Sequence, residues 1–156
     1  MSKPPAVFLD SSVMFAAALS KTGGSRAIIV LAEIGFIRLL VSAQVLEEAE
    51  RNLRDKAPKA LPFFQQLATA LNWEIVPEPA KEAIAECARV IAPKDAPILA
   101  AAMVAQPARF VTLDARHLDT PQARTFSGLT IQSPGEFIEE MRALLSAAYE
   151  SPDETA

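Results

Sequence analysis

A short apolar run, Val7-Phe8-Leu9, stops at the acid Asp10, and a second, Phe110-Val111-Thr112, is followed two residues later by Asp114. Brief β-branched and aromatic runs bounded by polar turn residues read as buried strands. Each acid therefore stands just past a strand end, and Asp10-Ser11-Ser12 reads as a polar turn at a helix start. Between the two runs, helical apolar periodicity alternates with further strand-like segments. The pattern predicts strands over 6–9, 36–41, 73–76, 110–112 and 129–132, and helices over 25–34, 43–55, 61–71, 79–90, 94–105 and 134–148. Gly35 closes the first of these helices, Ser42 is placed to cap the next, and Pro62 sits in a first helical turn. The stretch from Asp114 to Leu129, rich in Asp, Thr, Pro and Gln, reads as a loop.

Strand, helix, strand in sequence implies a right-handed parallel crossover. Alternation with short connections implies the α/β class, a three-layer α/β/α sandwich around a mostly parallel sheet of four to five strands. No repeat or linker divides the chain, and 156 residues suit one core, so residues 1–150 are expected to form one domain. The polar residues 151–156 are expected to form a flexible tail.

The hydrophobic share of 51% makes a disordered chain untenable. The longest apolar stretch, 27–41, is broken by Glu33, Gly35 and Arg38, so no membrane-spanning helix is expected. Met1-Ser2-Lys3-Pro4-Pro5 leads into a run too short for a signal peptide, and a cytoplasmic location is expected. Cys87 is the single cysteine and reads as a buried thiol. A net charge of -4 argues against a protein that coats nucleic acid by surface charge. It leaves room for an enzyme whose acids converge on cations.

In an open parallel sheet, ligands bind at the carboxyl ends of the strands. Asp10 and Asp114 lie there, and Asp95, at the start of an alanine-rich helix, can face the same edge. On a helical projection Val45, Leu46, Ala49 and Leu53 form an apolar stripe, with Glu48 and Asn52 on one margin and Glu50 on the other. Geometry leaves both glutamates open; Glu48 is preferred because Asn52 shares its side. Taken singly, Asp95 also reads as a plain helix-terminal acid and Glu48 as a solvated one. Gathered at one point, carboxylates repel and raise each other's pKa unless a hard cation such as Mg²⁺ or Mn²⁺ sits between them. Such a cation suits phosphodiester hydrolysis, with a water as nucleophile.

Four segments carry a resemblance: Val7-Phe8-Leu9-Asp10-Ser11-Ser12-Val13, Ser42-Ala43-Gln44-Val45-Leu46-Glu47-Glu48, Lys94-Asp95-Ala96-Pro97-Ile98-Leu99-Ala100-Ala101-Ala102 and Phe110-Val111-Thr112-Leu113-Asp114. In this order and on these elements they resemble PIN domains, in particular the small ribonucleases that include VapC-like toxins of toxin-antitoxin pairs. The resemblance implies a metal-dependent endoribonuclease with Asp10, Glu48, Asp95 and Asp114 as metal-site and catalytic residues. It also implies that Ser12 and Thr112 line the site, that Mg²⁺ or Mn²⁺ is the cofactor, and that a cognate antitoxin is a partner. Ser12 stands where asparagine is common, and the further acid frequent after the last motif is replaced by Ala115-Arg116-His117-Leu118. Arg116, His117 and Arg51 are candidate RNA contacts, and the apolar composition makes a homodimer an expected partner state. The rival reading within the same fold is a catalytically weak module that binds RNA or protein. A phosphoryl-receiver domain is disfavoured, since no Asp-x-Asp follows the first strand and no phosphate loop is present.

Overall fold

The computed structural model describes residues 3–150, and the expectation of a flexible tail at 151–156 falls outside them. In chain order the elements are β1 (Ala6–Leu9), α1 (Ser11–Leu19), α2 (Gly24–Glu33), β2 (Arg38–Val41), α3 (Ala43–Lys56), a 3-10 turn (Pro58–Ala60) and α4 (Leu61–Ala70). They continue with β3 (Glu74–Ile75), α5 (Lys81–Cys87), α6 (Ala96–Ala105), β4 (Arg109–Val111), α7 (Pro121–Ser127), β5 (Ile131–Gln132) and α8 (Pro134–Glu150). The five strands form one sheet in the order β3-β2-β1-β4-β5, and every pairing is parallel. The expected α/β architecture is present at the upper strand count.

Val7, Phe8 and Leu9 are wholly buried although successive strand side chains point to opposite faces, so both faces of the centre are covered by helices. That is why β1 is an unbroken apolar run with no alternation. Phe8 and Phe110 meet edge-to-face across the β1–β4 pair, ring centroids 5.3 Å apart. Helix α6 is nearly all core: Ala96 and residues 98–102 are buried, and its small side chains let it lie close to its neighbours. Gly24 opens α2 against the start of α8, where an added Cβ would lie 3.1 Å from Pro134.

Several boundaries differ from the sequence reading; α7 and the 3-10 turn are new, and α1, read in the sequence only as a helix start, runs to Leu19. The segment expected to be a loop contains α7, whose N-cap Thr120 accepts a hydrogen bond from the Ala123 N–H at 3.1 Å. Pro121 supplies the first helical residue and Gly128, at φ 69°, the left-handed stop. Strand β2 starts at Arg38 because the chain turns tightly after α2, with the Phe36 N–H bonded to the Leu31 carbonyl. Helix α5 ends at Cys87, beyond which the Arg89 and Val90 N–H groups bond three residues back to Glu86 and Cys87. Strands β3 and β5 are only two residues long.

Helix α8 is anchored by its first half. Phe137 is buried, and Glu140 accepts from Arg109 Nε at 3.2 Å, from Arg109 Nη2, and from Gln132 Nε2 at 2.6 Å. Residues 142–150 are all exposed, among them Leu144, Leu145 and Tyr149. No single described helix is long and apolar enough to cross a membrane; α1 and α2 pass such a test only jointly, across a 94° bend.

Candidate metal centre

At the carboxyl end of the sheet, β1 hands the chain to α1 at Asp10. Its N–H continues the ladder to the Val111 carbonyl at 3.1 Å, which fixes the backbone beneath the carboxylate. Oδ2 then accepts from Ser12 Oγ at 2.7 Å and from Thr112 Oγ1 at 2.8 Å. Both hydroxyls are used twice, Ser12 Oγ accepting from the Leu113 N–H and Thr112 Oγ1 from the Asp114 N–H, each at 3.0 Å. The two loops that leave β1 and β4 are thereby stitched together around Asp10.

Glu48 reaches the same place from α3. Its Oε2 accepts from Ser11 Oγ at 3.0 Å, and the same hydroxyl approaches Asp10 Oδ1 at 3.5 Å. One turn earlier, Gln44 Nε2 donates to Glu48 Oε1 at 3.1 Å. Glu50 instead pairs with Arg54 at 2.8 Å. Ser11 and Gln44 were not singled out in the sequence, although the i, i+4 spacing of Gln44 to Glu48 carried a signal.

Asp95 occupies the N-cap position of α6, yet its side chain makes no capping hydrogen bond. The residue is 9% exposed, and Oδ2 is buried without a hydrogen-bonding partner among the described residues. Burial pushes its carboxyl above the ordinary range; Lys94 opposes this, Asp114 adds to it, His117 opposes it, and Asp10 adds to it. A buried carboxylate oxygen without a partner is one that a cation or a hydrogen-bond donor would satisfy. Asp114 lies beyond β4, where its Oδ1 accepts the N–H groups of Arg116 at 3.1 Å and His117 at 2.9 Å. One donor atom each from Asp95, Asp114 and His117 falls within 4.8 Å of the others.

All four acids line one open cleft of about 700 Å³. Arg51, Lys56 and Lys94 give it a basic rim, while Phe15, Leu19 and Leu113 give it an apolar wall. Asn52 also lines it, beside Glu48. The structure places Arg116 elsewhere, in a shallow depression with Arg89, Thr120 and Gln122; His117 borders that depression while reaching Asp114. The acid set is rich in oxygen donors, converges from β1, α3, α6 and the loop after β4, and fits a divalent cation. Asp10, Glu48, Asp95 and Asp114 are the residues that would hold one.

The all-parallel sheet gathers these acids at its carboxyl edge, the place where open α/β sheets bind ligands. A sequence model described as PIN domain matches residues 6–116, and the chain belongs to the PIN-domain family, a family of nucleases. No curated protein matches the chain in sequence. Among solved structures it is similar to VapBC2 from Rickettsia felis, bound to a DNA fragment from their promoter: TM-score 0.61, 14% identity, covering 82% of this chain and 98% of that one. It is also similar to PAE2754 from Pyrobaculum aerophilum, with TM-score 0.59 and 15% identity over 92% of this chain and 96% of that one. At these identities the likeness is one of fold.

Proposed function

We propose that the chain is a divalent-metal-dependent endoribonuclease that hydrolyses RNA phosphodiesters and acts in the cytoplasm as the toxin of a toxin-antitoxin pair. The observation that carries the reading is Asp95 Oδ2, buried and unpartnered among the described residues, in a cleft shared with Asp10, Glu48 and Asp114. When bound, Mg²⁺ or Mn²⁺ supplies positive charge for the phosphoryl oxygens and acidifies a water. The protein's own residues do the positioning. Ser12 and Thr112 hold Asp10, Ser11 and Gln44 hold Glu48, and Arg51, Lys56 and Lys94 face the backbone phosphates of the substrate. Phe15, Leu19 and Leu113 give a base an apolar surface to lie on. An antitoxin partner is supported by the likeness to the VapBC2 structure.

Self-association is part of the same reading. An apolar groove between α2 and α8 is lined on the α8 side by Ile138 and Met141 and, further along, by Arg142, Leu145, Ser146, Tyr149 and Glu150, which share one helical face. In an antiparallel pairing centred on Ser146, Arg142 of one copy meets Glu150 of the other at both ends. In that register the face is self-complementary in charge, which a two-fold interface requires.

Incubation of a mixed RNA pool with purified protein tests the enzyme reading. Wild type cuts with Mg²⁺ or Mn²⁺ and stops with EDTA, and Asp95→Asn loses on the order of a hundredfold or more. If Asp10→Asn and Asp95→Asn cut as well as wild type, the enzyme reading fails and a catalytically weak RNA-binding or protein-interaction module takes its place. Growth arrest on expression of wild type, relieved by Asp95→Asn, tests the toxin role.

A further inference from the structure

We propose that His117 is a nitrogen ligand of the metal centre, which makes the site a mixed nitrogen and oxygen one that favours Mn²⁺ over Mg²⁺. The inference rests on the metal-dependent reading above and adds to it the identity of a donor and the preferred ion. Its first ground is spacing. His117 Nδ1 lies 3.2 Å from Asp114 Oδ2. The pair is within hydrogen-bonding distance in the metal-free chain, and donors on an octahedral ion with bonds near 2.1 Å also stand about 3 Å apart, so a cation can replace the shared proton with little movement of either group. Asp95 completes the group, one donor atom each from Asp95, Asp114 and His117 lying within 4.8 Å of the others.

The second ground is independent of the loop. Asp95 is 91% buried (9% exposed), makes no capping bond at the α6 N-terminus, and leaves Oδ2 without a partner among the described residues. An acid in that state is stable when a cation faces it, and the donors facing it are Asp114 and His117.

The local chain conformation also holds His117 in place. Asp114 Oδ1 is occupied by the backbone N–H groups of Arg116 and His117, which turns the imidazole back towards Oδ2. Carboxylates and water suit Mg²⁺ and Mn²⁺ alike, whereas an imidazole nitrogen shifts preference towards the first-row transition ions.

Mn²⁺ electron paramagnetic resonance on the purified full-length chain tests the assignment directly. Pulsed spectra of the Mn²⁺-loaded wild type are expected to show hyperfine coupling to a directly bound ¹⁴N, and His117→Gln and His117→Ala are expected to lose it. In competition titrations of the same variants, Mn²⁺ affinity is expected to fall on the order of tenfold, with Mg²⁺ affinity falling less. A wild-type spectrum without nitrogen coupling overturns the proposal outright, whatever the variants' folding, as does coupling that survives in both variants. If RNA is cut with Mn²⁺ but no nitrogen is seen, the ligand assignment fails while the nuclease reading stands. If neither Mn²⁺ binding nor cleavage is found, both fall.

Discussion

Asp95 stands at a helix N-terminus without serving it. Its carboxyl is held above the unfolded value of 3.8 chiefly by burial, so the unfolded chain gives up this proton first as pH rises. Below that value the group is neutral in both states and costs nothing. Above its folded value the penalty is complete, so in metal-free buffer the native state bears more of it at pH 7 than near pH 3. Asp95→Asn should therefore raise the metal-free Tm at pH 7, each kcal/mol counting for roughly 2–4 °C, and the gain should vanish near pH 3. Equal Tm values at pH 7 would rule this out. Added Mn²⁺ should stabilise wild type and stabilise the variant less.

Ser12 offers a second residue-scale test. Its hydroxyl joins Asp10 to the loop after β4, so Ser12→Ala should cut RNA about 10–100-fold more slowly, as losses of supporting hydrogen bonds at metal sites do. An unchanged kcat/KM would show that Thr112 alone suffices to orient Asp10. At this scale the placement of Asp10 and Asp114 beyond strand ends was legible because each follows an apolar run, and that of Glu48 on the cleft side of α3 because Asn52 shares its margin. The pairing of His117 with Asp114 was not, since it arises from a carboxylate accepting two backbone N–H groups in a loop, a conformation with no periodic trace.

At the scale of elements, the strands around β1 could be read because burial on both faces makes them uniformly apolar. The edge strands were overestimated in length for the same reason in reverse. Ile75 is exposed on two-residue β3, and an apolar side chain beside a turn looks like strand whether or not it pairs. Helix α7 was hidden by its composition, although Thr120-Pro121 is a good start signal and Gly128 a good stop. Helix α8 gives the testable case. Glu140 receives Arg109 and Gln132, which hold its carboxyl below the ordinary range. The stabilisation is present above the unfolded value of 4.5 and lost as pH falls through the lower folded one. Glu140→Ala should cost about 1 kcal/mol at pH 7 and almost nothing in strong acid, by denaturant titration at the two pH values. A cost independent of pH would mean that packing, not charge, ties α8 to the sheet.

For the whole molecule, the exposed half of α8 bears on assembly. Leu145→Glu should convert a dimer to monomer in light scattering, and Arg142→Glu should weaken it, with Glu150→Arg in the same chain restoring it. A wild type that is monomeric at every concentration would remove the α8 interface from the reading.

The order β3-β2-β1-β4-β5 has one more effect, on the way the molecule loosens. Amide hydrogens on the two-residue edge strands should exchange quickly through local opening, while those of β1, bonded on both sides and wholly buried, should exchange only through global unfolding. Asp10 is bonded to that strand's neighbour, and Asp114 and Glu48 follow from the strands on either side of it. Fluctuations that breach the periphery leave the acids in register, so the reactive edge is fastened to the part of the protein that comes apart last.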